Sequence, residues 1–173
     1  LDFSADAVYF GTVEGDSASG WGGKLRRVVT DNDLTTSNWN GDSTLANVGQ
    51  PIVAAPNVGI DDKGKRWVYF GTGRFFVDSD KSNSDQQSYY GIIEPFTDSD
   101  SDGVMDSGEI MTWSAVDPTS QLVDVTTAAV YDDKTVENVS DLSGSSLGTW
   151  DSLLNEMDSF STDGGGWYID FQT

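Results

Sequence analysis

Residues 98–109 read Asp98-Ser99-Asp100-Ser101-Asp102-Gly103-Val104-Met105-Asp106-Ser107-Gly108-Glu109. This run meets the twelve-residue calcium-loop pattern at each of its defined positions. Asp98, Asp100 and Asp102 stand at positions 1, 3 and 5, where side-chain oxygens ligate. Gly103 at position 6 permits a sharp turn, and Val104 at position 7 offers its carbonyl. Asp106 at position 9 binds directly or through water, and Glu109 at position 12 has the reach of a bidentate ligand. Met105, the apolar residue at position 8, suits an inward-facing place. Hard oxygen donors at this spacing suit Ca²⁺; Mg²⁺ demands shorter, stricter octahedral bonds and keeps its waters. The competing reading is a solvated Asp-Ser linker, which does not account for Gly103 and Glu109 falling where the pattern needs them.

The flanking segments decide what such a loop does. Tyr89-Tyr90-Gly91-Ile92-Ile93-Glu94 is strand-like, Pro95 bars a helix from entering the loop, and Ile110-Met111-Thr112-Trp113 is strand-like again. The expectation is a calcium loop joining two strands, a structural clamp rather than a helix-opening sensor.

The rest of the composition narrows the chemistry. The 173 residues contain no Cys and no His. Disulfides, thiolate nucleophiles, Cys- and His-ligated metals and the usual neutral-pH proton shuttle are therefore excluded. The formal net charge is −20, which speaks against nucleic-acid and anionic-membrane partners and for divalent cations. Residues 1–77 hold 9 acids and 7 bases, whereas residues 78–173 hold 20 acids and 2 bases. The second part is thus the cation-seeking one. No window approaches the length of a membrane-spanning apolar helix. Residues 1–6 lack the basic and apolar regions of a signal peptide, so any export signal is expected outside this chain.

Nineteen Gly beside six Trp, six Tyr and eight Phe make an all-β composition. An internal repeat organises it. Val8-Tyr9-Phe10-Gly11-Thr12 recurs as Val68-Tyr69-Phe70-Gly71-Thr72. After the first copy, residues 22–29 have the β-branched content of a strand returning antiparallel. Ahead of the second, residues 51–58 form an apolar run between prolines, and residues 61–65 make a turn, which together read as a hairpin. The two copies are expected in equivalent places of adjacent sheets, with Tyr9 and Tyr69 pointing the same way. Such units predict a β-propeller of antiparallel blades, with a β-sandwich as the alternative. At roughly 40–60 residues per blade the chain supplies about three blades, fewer than the four that close a ring, so residues 1–173 are expected to be a propeller fragment. Thr127-Ala128-Ala129-Val130-Tyr131 and residues 166–171 are further strand candidates. Trp150, Leu153, Leu154 and Met157 have helical spacing and predict one short helix over 150–160, capped by Thr149 or Asp151. Residues 78–88 and 140–149 read as loops.

Several of these residues resemble a known family. The segment 50–58 followed by Trp67-Val68-Tyr69-Phe70-Gly71-Thr72-Gly73-Arg74-Phe75 resembles the C-terminal quinoprotein-like propeller of the PilY1 family, the type IV pilus biogenesis and tip-associated adhesin proteins. Asp6-Ala7-Val8-Tyr9-Phe10-Gly11-Thr12 with Gly22-Gly23-Lys24-Leu25-Arg26-Arg27 is similar to the preceding blade. Ser88-Tyr89-Tyr90-Gly91-Ile92, Leu122-Val123-Asp124-Val125-Thr126 and Gly166-Trp167-Tyr168-Ile169-Asp170 are similar to later landmarks in the same order. Residues 95–110 and 132–160 carry no resemblance. The resemblance implies an exported protein at the cell surface or pilus tip. It also implies minor pilins and host or abiotic surfaces as partners, and calcium control of pilus extension, retraction and twitching. The family's large N-terminal adhesive region is not in this chain, and the absence of an Arg-Gly-Asp tripeptide removes integrin-type adhesion from what can be carried over.

Catalysis is not expected. Among 29 acids a pair of neighbouring carboxylates arises by chance, so a glycosidase reading has no specific signal. A calcium- and pyrroloquinoline-quinone-dependent dehydrogenase would need a complete ring of blades around its cofactor. The remaining alternative is a purely structural, calcium-stabilised cell-surface repeat.

Overall fold

The computed structural model of the chain describes residues 6–30, 35–36, 39–158 and 163–171. The first repeat copy forms β1 (Ala7–Gly11), which pairs antiparallel with β4 (Leu25–Val29). Between them β2 (Glu14–Asp16) and β3 (Gly20–Gly22) make a small hairpin. Strand β5 (Asn40–Ala46) pairs antiparallel with β4 and completes a three-stranded sheet, β1-β4-β5.

The second copy lies in β7 (Arg66–Gly71), in the expected hairpin with its 61–65 turn. The partner strand, however, is β6 (Asn57–Ile60) rather than the apolar run 51–58, of which residues 51–56 contribute only the isolated Ile52–Gly73 bridge to strand pairing. The 61–65 turn between them is tied by Asp61 Oδ1, which accepts from the backbone N–H of Lys63 and of Lys65 at 2.9 Å each. On the other side of β7 runs β8 (Ser88–Ile93), followed by β12 (Gly165–Asp170) and the two-residue β9 (Val123–Asp124). The order β6-β7-β8-β12-β9 makes a five-stranded sheet, antiparallel except for the β12–β9 pair. Gly91 is needed where β8 meets β12: a Cβ there would lie 2.7 Å from the Trp167 ring, which crosses the strand at that point.

The two sheets stack face to face. Leu25, Leu45 and Ala46 of the first meet Val68, Phe70, Tyr90 and Ile92 of the second in one buried cluster. Alternation decides which side chains take part. In β1 the inward residue is Tyr9, while Val8 and Phe10 are 50% and 37% exposed. In β7 the inward residues are Val68 and Phe70, at 0% and 2%, and Tyr69 faces away beside Trp67 and Trp167. Tyr9 and Tyr69 therefore point the same way along the stack, as expected of successive sheets in a series. Pro51 and Ile52 stitch the equivalent ends of the two copies. Ile52 N–H donates to Thr12 O at 3.0 Å, and Gly73 N–H donates to Pro51 O at 2.7 Å.

A buried ionic contact joins the sheets. Arg27 of β4 and Glu94, just after β8, have no exposed side-chain surface and meet at 2.6 Å. The other arm of Arg27 donates to the carbonyls of Trp113 and Ser114. Burial pushes the Glu94 carboxyl up, against the pull of Arg27.

One expected strand is not formed. Residues 110–113 make only a single bridge, Phe96 to Met111, and Trp113 has φ +57°. The turn aims the Trp113 carbonyl at Arg27 and sets its ring 5.6 Å and 5.8 Å from the guanidinium groups of Arg27 and Arg66. Satisfying a buried cation outweighs the β propensity of this segment.

The remaining chain builds a satellite. Its hairpin β10 (Ala129–Val130) and β11 (Val136–Glu137), and helix α1 (Trp150–Asp158), share a second core of Val123, Val136, Val139, Leu147 and Leu153. Thr149 caps the helix, its Oγ1 accepting from Ser152 N–H at 3.2 Å. The expected extension to Phe160 lies outside the described residues. Segments read as loops carry local order: 78–82 is a single 3₁₀ turn, and Ser140 bridges Ser146. The chain is thus all-β with one short helix, in open sheets; no ring of blades closes among the described residues. No helix among them is long and apolar enough to cross a membrane.

Candidate metal centre

The 98–109 loop leaves the five-stranded sheet through a fully buried Phe96, Met111 bridges back to Phe96, and the chain runs on to Val116, which pairs with Ala46 of the first sheet. Thr97 and Ile110 close its neck: Thr97 N–H donates to Ile110 O at 2.8 Å, and Ile110 N–H donates to Thr97 Oγ1 at 2.9 Å. The loop also docks sideways on the 61–65 turn, where Met105 N–H donates to Lys63 O at 2.8 Å. Met105, expected to face inward, is half-buried against Gly64. A neck of one isolated bridge and the Thr97–Ile110 hydrogen bonds, together with a β-turn, thus stands where an EF-hand has two helices.

Within the loop, carboxylate oxygens of Asp98, Asp100 and Asp102 lie within 4.8 Å of one another. Local backbone geometry brings them together. Asp98 accepts from the N–H groups of Asp102 at 3.2 Å and Gly103 at 3.0 Å, and Asp102 accepts from Val104 N–H at 2.8 Å. Gly103 at φ +73° supplies the reversal assigned to position 6; Ser101 shares the left-handed region at φ +63°.

The other two acids stand differently. Glu109 Oε1 accepts from Ser99 N–H at 2.6 Å and its Oε2 from Asp106 N–H at 2.9 Å, so the carboxylate ties the two halves of the loop together. These backbone bonds hold its carboxyl below the usual range. Asp106 is pushed the other way, by partial desolvation first and then by the negative charge of Asp102, Asp100, Glu109 and Asp98. The structure therefore gathers Asp98, Asp100 and Asp102, and places Glu109 across the loop on backbone donors. The donor set is oxygen throughout, which fits a hard divalent cation.

The sequence pattern located these residues but not their support. Docking on the 61–65 turn joins segments about forty residues apart, and nothing in either segment's composition announces it.

Comparison with known proteins yields a local similarity. No family model and no solved structure matches the chain. A stretch of 56 residues, 32% of the chain, is 39% identical to the type IV pilus biogenesis factor PilY1 homolog of Xylella fastidiosa (strain Temecula1 / ATCC 700964). The matched stretch spans 5% of that protein's length, so the likeness links about a third of this chain to a small part of a pilus biogenesis factor.

Proposed function

We propose that the chain is a calcium-binding segment of a β-propeller in a PilY1-like protein, acting in type IV pilus biogenesis at the cell surface. The observation that carries the calcium half is the convergence of Asp98, Asp100 and Asp102 in a loop whose spacing matches a calcium loop throughout. The pilus half is supported by the local similarity to a PilY1 homolog.

Asp98, Asp100 and Asp102 would hold the ion, with Val104 O, Asp106 and Glu109 completing the set. When bound, a divalent ion neutralises part of the charge of five carboxylates within twelve residues. The chain's own part is to hold the neck at Thr97 and Ile110 and to brace the loop on the 61–65 turn. The role is assembly and regulation rather than catalysis, with minor pilins and an external surface as partners. Site affinities of about 10⁻⁴–10⁻³ M, common in extracellular modules, would fill the loop in calcium-rich surroundings.

The propeller reading is supported by the serial stacking of the two repeat copies. In it, Val8 and Phe10 are covered by a preceding sheet, as Val68 and Phe70 are covered by the first.

Titration calorimetry tests the calcium half. The expected result is one Ca²⁺ bound per chain, with binding lost in Asp98→Ala and Glu109→Ala. No heat at millimolar Ca²⁺, or unchanged binding after Glu109→Ala, overturns the assignment. Co-purification of tagged chain with minor pilins from a piliated cell tests the pilus half.

A further inference from the structure

We propose that the cleft between the outer face of the five-stranded sheet and α1 is a docking groove for a partner's peptide segment, one that carries apolar side chains next to Lys or Arg. The apolar part, of about 590 Å³, is walled by Trp67, Tyr69 and Trp167 from the sheet and by Trp150, Leu154 and Met157 from the helix. It adjoins an acidic part of about 540 Å³ at the 61–65 turn, whose charged lining is Asp61, Asp62, Asp151 and the ion pair of Lys63 with Asp158.

The wall is preformed. Trp67 Nε1–H donates to Asp61 Oδ2 at 2.8 Å, and its ring lies nearly parallel to that of Tyr69 with centroids 5.9 Å apart. The Trp167 ring is pinned across Gly91. Large aromatic side chains held in place before binding lose little entropy on contact, which favours them as anchors for a partner.

Charge complementarity selects the occupant. The two cations nearby are already engaged: Lys63 and the fully buried Lys65 both pair with Asp158, at 2.8 Å and 2.7 Å. Asp62 and Asp151 are exposed and enter no salt bridge among the described residues. A cation beside the aromatic rings gains both from these carboxylates and from the ring faces. Two adjoining clefts, one apolar and one acidic, match a linear segment with an apolar stretch followed by a basic residue. None of the 98–109 ligands lines the groove, but its acidic end lies on the 61–65 turn that the loop braces through Met105.

The test is selection from a displayed random heptapeptide library on the 173-residue chain, with calcium present throughout. The expected consensus is two or three aliphatic or aromatic residues adjoining Lys or Arg. A synthetic peptide of that consensus should then shift the tryptophan emission saturably. Leu154→Arg, at a 40% exposed position, should weaken it at least tenfold, as should the surface pair Asp62→Lys/Asp151→Lys. Replacing the basic residues of the peptide by Glu should do the same. Circular dichroism of the two variants guards against misfolding. No enrichment over the Leu154→Arg chain, a consensus free of basic residues, or equal affinity of folded variants would overturn the proposal.

Discussion

The pentapeptide Val-Tyr-Phe-Gly-Thr occurs twice, and its two copies live in opposite surroundings. In the first, Val8 and Phe10 are half-exposed and Tyr9 meets the core; in the second, Val68 and Phe70 are buried and Tyr69 looks outward. Identical residues with identical alternation thus have different burial, because each sheet has a different neighbour. Tyr9 is covered by a whole sheet. Tyr69 is half-covered by a helix that is held by Asp158 on Lys63 and Lys65. Burial belongs to the stack rather than to the motif.

The largest effect expected is the asymmetry of the equivalent phenylalanines. Phe70→Ala should cost about 3–5 kcal/mol, whereas Phe10→Ala should cost about 1 kcal/mol or less. Urea denaturation measures both. Equal costs would break the comparison. In a longer chain carrying a preceding sheet, the propeller reading predicts that Phe10→Ala becomes as damaging as Phe70→Ala.

The join between the two sheets is the next target. Glu94→Ala leaves Arg27 buried without its counter-ion and should destabilise by about 3–5 kcal/mol. The paired replacement Arg27→Met with Glu94→Leu should recover most of that loss, since two matched apolar side chains need no counter-ion. A double mutant as unstable as the single one would mean that the Trp113 and Ser114 carbonyls, left without their donor, matter more than the ion pair.

Calcium should act more strongly on one copy than on the other. Binding at a hundredfold excess over Kd stabilises the folded state by about 2.7 kcal/mol. The loop braces the 61–65 turn through Met105. Hydrogen exchange should therefore slow more in the β6–β7 hairpin than in β1 on adding Ca²⁺. Uniform slowing, or none, would argue against a loop that clamps the second copy.

The smallest effect concerns the helix that covers Tyr69. Burial alone would raise the Asp158 carboxyl, but hydrogen bonds from Lys63 and Lys65 outweigh it and hold the carboxyl below its ordinary value. A depressed folded-state pKa gives stability that is complete above the unfolded value and is lost as pH falls through the folded one. Asp158→Asn should remove this pH dependence and cost about 1–2 kcal/mol at neutral pH, less than a fully buried pair because Asp158 is partly exposed. The check is tryptophan emission against pH, with wild type reporting earlier exposure of Trp67 and Trp167 than loss of far-ultraviolet signal.

Much of this molecule is written locally. Residues 98–109 turn as their spacing requires, because Asp98, Asp102 and Gly103 bond within six residues of one another. The β6–β7 hairpin, the return of β4 on β1 and the start of α1 at Thr149 follow from alternation, an Asp-capped turn and a helix cap, all short-range. Other features needed the assembled fold. Period-two alternation says that Tyr9 stands opposite Val8 and Phe10, but not which side meets another sheet, since that depends on a neighbour far along the chain. Residues 110–113 have strand composition and still bend, because Arg27, more than eighty residues earlier in sequence, claims the carbonyls of Trp113 and Ser114. The bracing of the acidic loop on Lys63 and Gly64, and the closing of α1 over Trp67 and Trp167, are likewise contacts between distant segments. Short-range hydrogen bonds and alternation are properties of a few residues and can be read from them; desolvation and face selection are settled only when the sheets pack.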